Sequence, residues 1–261
     1  MHQRTRFAAH PGQHRPLFWK RPVLLLAVSL AVALAAAHPV LALTGRVAEG
    51  TPYETAYYVN DSGKPGPTVF IVGGVHGNEP AGYQAARTFV NTQPKIGKIV
   101  VIPEANRAAI RAGARIGSHP GDLNRQFPRR RGEQPGSPLA ESLWSLVLQM
   151  KPDYLFDLHE GYDFHKVNPE SVGQTIIYYP KGDAATLAKV MQKAVNAGIS
   201  RSEHQFQLLR YPVQGSLARA AAMFTPARSM ILETSKKQPL GVRVGQHVTM
   251  VEAALKSLDM I

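Results

Sequence analysis

A histidine and a glutamate stand three residues apart, His76 and Glu79, after an apolar run and two glycines in Thr68-Val-Phe-Ile-Val-Gly-Gly-Val-His-Gly-Asn-Glu79. A second histidine, His159, follows another apolar run, Tyr154-Leu-Phe-Asp-Leu158. Two imidazoles and one carboxylate, with a coordination position left for water, are the ligand set of a catalytic zinc. The His-x-x-Glu spacing is weak alone, because a capping glutamate and a surface histidine would look the same. Pro80 stands where the inverted zincin motif needs its second histidine, so that motif is excluded.

Three further places could serve such a centre. In Asp122-Leu-Asn-Arg-Gln-Phe-Pro128, an amide and a guanidinium side by side make a carboxylate clamp, Arg125 giving the bidentate fork and Asn124 further donors. The plainer alternative is a structural arginine paired with Asp122. In Asp157-Leu-His159, strand alternation puts Asp157 on the face of His159, where a carboxylate can orient a ligand imidazole. Glu160 then points the other way, as a structural or rim residue. Glu233 ends the apolar run Met230-Ile-Leu232, and is either a solvated strand terminus or an active-site base.

Chemistry of this kind needs strands that deliver side chains to one edge. Thr68–Val72, Lys98–Ile102, the run before His159, Thr175–Tyr179 and Met230–Leu232 read as buried strands, and Tyr53–Asn60 as an edge strand. Helical patterns run over Glu79–Asn91, Leu139–Met150, Asp183–Ala197 and Val242–Met260. The stretch Asn106–Pro138 is rich in Gly, Pro and Arg and reads as a long functional loop. Strands alternating with helices predict a largely parallel sheet covered on both faces, with ligands at its carboxyl edge.

The chain has 261 residues, 30 Lys and Arg against 18 Asp and Glu, and no cysteine. Disulfides, thiolate metal sites and a cysteine nucleophile are therefore excluded. No Gly-x-Ser-x-Gly elbow occurs around Ser171 or elsewhere, which argues against a serine hydrolase. Arg4, Arg6, Arg15, Lys20 and Arg21 precede the apolar stretch Val23–Ala37 and the small residues of Val40-Leu-Ala42. This is the layout of a secretory signal peptide over residues 1–42, leaving one catalytic domain over 43–261. Its removal would lower the net charge from +12 to +7, since those five basic residues go and no acid does. The expected location is the periplasm or another exported compartment, with no stable membrane span once the signal is cleaved and a membrane-anchored form if it is not. Nucleic-acid binding rests on charge alone and is set aside.

His76-Gly-Asn-Glu79, Asp122-Leu-Asn-Arg125, Asp157-Leu-His159 and Ile231-Leu-Glu233 stand in the order seen in the succinylglutamate desuccinylase/aspartoacylase family, which is related to the zinc carboxypeptidases. The chain resembles that family over roughly residues 68–235. The resemblance implies a three-layer α/β/α fold around a mixed, largely parallel sheet, one zinc ion per chain, and hydrolysis of an amide bond next to a carboxylate. It implies His76, Glu79 and His159 as metal ligands, Asn124 and Arg125 as the grip on the substrate carboxylate, and Glu233 as general base and then acid. Arg115 resembles the arginine that polarises the scissile carbonyl, with Arg107 and Arg111 as rivals. Tyr211 is similar in spacing to the mobile tyrosine of carboxypeptidases, though Tyr211-Pro212 is equally a plain loop.

Two features depart from the family pattern. Only residues 234–261 follow Glu233, where the amino-acid deacylases carry a further β-rich region, and the exported leader is unlike the cytosolic members. Both point to a carboxypeptidase-like enzyme or N-acyl-amino-acid deacylase with an open cleft. Its expected substrate is a small acyl-amino acid or peptide, a peptidoglycan stem peptide among the candidates. The rival expectation is a non-enzymatic envelope-binding protein using Arg129-Arg-Arg131.

Overall fold

The computed structural model describes residues 43–117 and 121–261; the leader expected over residues 1–42 lies outside them. Eight strands form one sheet in the order β1-β2-β4-β3-β5-β8-β6-β7. They are β1 (Leu43–Val47), β2 (Thr55–Asp61), β3 (Thr68–Gly73), β4 (Lys98–Ile102), β5 (Tyr154–Gly161), β6 (Thr175–Tyr178), β7 (Gln207–Arg210) and β8 (Arg228–Ser235). The central run β4-β3-β5-β8 is parallel, β1 with β2, β2 with β4 and β6 with β8 pair antiparallel, and β6 with β7 is parallel. The sheet is mixed with a parallel centre, as expected.

Helices cover both faces: α1 (Pro80–Thr88), α2 (Arg107–Ala112), α3 (Pro138–Met150), α4 (Ala184–Asn196), α5 (Leu217–Phe224) and α6 (Leu240–Ser257). Alternation along the strands sorts their side chains into two cores. Phe70, Val72, Leu155 and Ile231 join residues of α3 and α5 on one face. Val69, Ile71, Phe156, Met230 and Leu232 join α1, α4 and α6 on the other. Asp157, His159 and Glu233 continue the first series by the same period of two, so they emerge on the α3/α5 side. Glu160 and Thr234 emerge on the α6 side.

The structure departs from the sequence pattern in four places. Tyr53–Asn60 is not an edge strand: β2 lies inside, because β1 pairs along its outer side. The segment between Asn106 and Pro138 is not simply a loop. It contains α2, capped by the Asn106 side chain, which accepts from Ala109 N at 3.1 Å, and a short 3-10 turn over Leu123–Arg125. The strands carrying His159 and Glu233 do not stop there but run on to Gly161 and Ser235. Finally, β7 and α5 gave no clear pattern, being only four and eight residues long. The start of α5 is marked by Ser216, whose hydroxyl accepts from Arg219 N at 3.0 Å.

One close approach fixes α1 against β5. A Cβ on Gly82 would come within 2.3 Å of the Leu158 carbonyl oxygen. Alanine there must push α1 off the strand that carries His159. Gly82→Ala is expected to cost about 1–3 kcal/mol, the usual range for overpacking, measured by urea denaturation. A change within experimental error would show that α1 can slide without loss.

Candidate metal centre

His76 lies in the turn after β3, where Gly74 has φ +74° and so lets the chain reverse. Gly77 follows, and a Cβ there would sit 2.0 Å from the Ala109 carbonyl oxygen of α2. The ligand turn is thus wedged against α2 with no room for a side chain. Glu79 is the N-cap residue of α1, but its carboxylate does not cap the helix. It turns inward instead, with Pro80 in the first turn needing no hydrogen-bonded N–H.

That carboxylate gathers the site. Oε1 lies 2.9 Å from His76 Nδ1 and 3.3 Å from Arg115 Nη1; Oε2 lies 2.9 Å from His159 Nδ1 and accepts from Glu160 N at 3.1 Å. The two Nδ1 atoms face each other at 3.2 Å. His76, Glu79 and His159 are all buried, and one donor atom from each falls within 4.8 Å of the others. Three inward-turned donors of these types fit a divalent cation.

The outer nitrogens are held by carboxylates. His76 Nε2 is 2.9 Å from Asp122 Oδ1, and His159 Nε2 is 3.1 Å from Asp157 Oδ1. Such partners fix the ring orientation and make Nδ1 a better donor. Asp157 was expected in that role; Asp122 was not, having been weighed only as an alternative partner for Arg125. Asp157 is wholly buried and both its oxygens lack a hydrogen bond, so the ion pair with His159 is its main compensation.

The titrations follow from this crowding. Burial would lower the His159 imidazole, but Asp157 and Glu79 outweigh it and hold it well above the ordinary value. Burial would raise Glu79, but the His159 charge and hydrogen bonds from both histidines carry it well below. For Asp122, burial is again overcome, here by His76 and Arg115, and the carboxyl is lowered. The centre therefore favours positive charge at its middle, which is what a bound cation supplies.

Glu233 sits beside this group, opposite His159 in the β5–β8 register. It is buried, and burial pushes its carboxyl up to about 8 against the attraction of His159 and with the repulsion of Glu79 and Asp157. A cavity of about 400 Å³ opens over the four residues and is also lined by Arg115, Asn124 and Arg125. Asn124 Nδ2 lies 3.5 Å from His159 Nε2, its Oδ1 accepts from Leu217 N at 3.3 Å, and Arg125 Nη1 donates to the Asn124 carbonyl at 2.8 Å. Of the three candidate arginines, Arg115 alone lines the cavity; Arg107 and Arg111 turn to the Glu54 and Pro52 carbonyls. Tyr211 does not line it. Its ring is 54% exposed, packs edge-on against Tyr179 at 5.7 Å and carries the Arg219 guanidinium 5.2 Å above it. Val213, two residues on, is the part of that loop that reaches the cavity.

Residues 65–239 match the succinylglutamate desuccinylase/aspartoacylase catalytic domain, two-thirds of the chain and every residue of the site. The chain belongs to this family. A curated relative, the N-alpha-acetyl-L-2,4-diaminobutyric acid deacetylase of Halomonas elongata, is 33% identical over 103 residues, covering 37% of this chain and 29% of the relative. Among solved structures, the mDAP-bound form of Helicobacter pylori Csd4, a D,L-carboxypeptidase, superposes with a TM-score of 0.62 at 22% identity, over 75% of this chain and 52% of that one. The succinylglutamate desuccinylase/aspartoacylase of Rhodobacter sphaeroides superposes with a TM-score of 0.60 at 20% identity, over 80% and 60%. These structural likenesses bear on the fold. The family member described here spans about half the length of Csd4 and less than a third of the deacetylase.

Two measurements test the centre. Asp122→Asn is expected to weaken metal binding about 10–100-fold, the usual loss for an outer carboxylate, read by competition against a chelator; unchanged affinity would mean His76 is oriented by something else. An acid whose folded pKa is raised holds its proton more tightly folded than unfolded. Stability of the metal-free protein should therefore fall as pH climbs from about 4.5 to about 8. Metal-free Glu233→Gln is expected to melt higher than the unaltered metal-free protein above about pH 8 and to lose that advantage near pH 4.5. Parallel melting curves would rule out a buried, proton-holding Glu233.

Proposed function

We propose that this protein is an exported zinc-dependent amide hydrolase, a carboxypeptidase or N-acyl-amino-acid deacylase acting on a carboxylate-bearing substrate. The observation that carries this reading is the register of Glu233 with His159, which sets a buried carboxylate beside three convergent donors. The residues fit zinc by their type, with nitrogen and carboxylate donors and no thiolate. When bound, zinc supplies Lewis acidity and brings the pKa of a coordinated water down to about 7.

This chain's own residues supply the rest. Glu233 accepts the proton of the attacking water and passes it to the leaving amine, as base and then acid. Its raised carboxyl pKa suits a group that must hold a proton between the two steps. Arg115 donates to the developing oxyanion, a role in which one donor is worth about 3–4 kcal/mol. To do so it exchanges its contact with Glu79 for the substrate, keeping Asp122 at 3.0 Å. Arg125 and Asn124 hold the substrate carboxylate, so that the amide lies over the centre before reaction. Tyr211 can contribute only by leaving its place between Tyr179 and Arg219.

The cavity of about 400 Å³ is of the size that takes small ligands, and Csd4, which shares the fold, has been solved with a tripeptide and with mDAP. A peptidoglycan stem peptide is accordingly our first candidate substrate, and the leader pattern in residues 1–42 supports export to where it is found. The test is incubation of the purified protein with N-acyl-amino acids and stem peptides, followed by mass. The unaltered protein is expected to release one terminal residue or acyl group. Glu233→Gln is expected to retain one zinc by elemental analysis while losing about a hundredfold to ten-thousandfold in kcat, as the base is part of the chemical step. No turnover across the panel, or no zinc bound, would overturn the reading and leave a binding protein.

A further inference from the structure

The cavity has two chemically different ends. Its lining includes the apolar side chains Ile177, Ile231 and Val213 as well as Arg125. Ile177 pairs with Ile231 across β6 and β8, and Gly215 is pressed against the backbone of Arg125, so the 211–215 loop closes the end at Arg125. The other end lies past the metal ligands. There the lining includes Glu160, Tyr162, Glu170 and Lys236.

Position along β8 separates the two ends. Ile231 is two residues before Glu233, about 7 Å at the rise of a strand, and Lys236 is the first residue past the end of β8. Lys236 is anchored by its N–H to the Gly161 carbonyl at 2.9 Å, beyond His159 on β5. Glu233 must face the scissile amide. If Arg125 holds the carboxylate of the leaving residue over Ile231, the acyl residue extends towards Lys236. This step rests on the function proposed above.

Three cations line the cavity. Arg115 is paired with Glu79 and Asp122, and Arg125 is the residue proposed above to hold the carboxylate of the leaving residue. The Lys236 ammonium makes no hydrogen bond or ion pair among the described residues. Glu160, which lines the same cavity, already has its counter-ion in Arg243 of α6. Glu170 is exposed at the rim, where solvent screens it. The charge of Lys236 is therefore not consumed by the fold.

We infer that Lys236 binds a second substrate carboxylate, on the acyl side of the scissile amide, so that the cleft selects an acidic residue there and a small uncharged one on the leaving side. No motif marks this residue, and neither the fold nor the metal centre requires it.

The test uses the zinc-loaded protein and three N-acetylated dipeptides ending in alanine, with glutamate, glutamine or lysine before it. The glutamyl substrate is expected to exceed the glutaminyl one in kcat/KM by about tenfold or more, the scale of one charge-assisted hydrogen bond. Lys236→Met should bring that ratio close to one, and Lys236→Glu should turn the preference towards the lysyl substrate. Lys237→Met, next door and exposed, should leave the ratio as it is. A ratio near one in the unaltered protein, or one that survives Lys236→Met, overturns this inference and leaves the hydrolase reading intact. No hydrolysis of any of the three overturns this inference, whereas the hydrolase reading falls only if the wider panel above also shows no turnover.

Discussion

Glu79 places one buried carboxylate in contact with two buried imidazoles, a buried backbone amide and, on its solvent side, the guanidinium of Arg115. A charge buried that deeply is tolerable only when every neighbour is in place. The neighbours come from β3, β5 and the stretch after α2, so each must be delivered to within hydrogen-bonding distance of the same two oxygens. Much of the surrounding architecture follows from that demand. Gly77 has no side chain because α2 must close on the ligand turn, and Gly82 has none because α1 must close on β5. Glu79 itself gives up capping α1 to turn inward, a local sacrifice of about 1 kcal/mol by the usual value of a cap.

How far the sequence foretold this differs between elements. The buried strands β3, β4 and β5 were legible because a continuous apolar run bounded by glycine or proline has few other uses. The three candidate donors that converge were legible because histidine and glutamate stand at the ends of such runs in a known order. Asp122 was visible, but nothing in the sequence linked it to His76. Its neighbour Arg125 offered an obvious partner, and only the three-dimensional turn brings it to His76, 46 residues away in the chain. The choice among Arg107, Arg111 and Arg115 needed the direction of α2, which spacing does not give. Lys236 carried no signal at all, since a lysine after a strand is ordinarily a solvated residue.

The α6 side of the sheet shows how the site is supported from behind. Glu160 and Thr234, one residue beyond His159 and Glu233, meet Arg243 and His247 of α6. His247 is wholly buried, and burial pushes its imidazole down to about 3, so it stays neutral under any ordinary condition. It can bond the Thr234 hydroxyl at 3.2 Å without adding charge to a region that already holds several. The front of each strand carries the charged groups, and the back fixes the strand ends with a paired ion and a neutral ring.

The ligand set also bears on the order in which the molecule is made. His76 and Glu79 precede His159 by about 80 residues, and Glu233 comes 74 after that. Contacts so distant in sequence close late in folding, because chain entropy must be surrendered before they are rewarded. During synthesis the His76–Glu79 turn leaves the ribosome long before its partner histidine, and two donors alone make a poor trap for an ion. Tight capture must wait until β3 and β5 lie side by side. The ion is thus suited to latch a sheet that is already built, and a chain interrupted before residue 159 would carry half a centre and no hold on the metal.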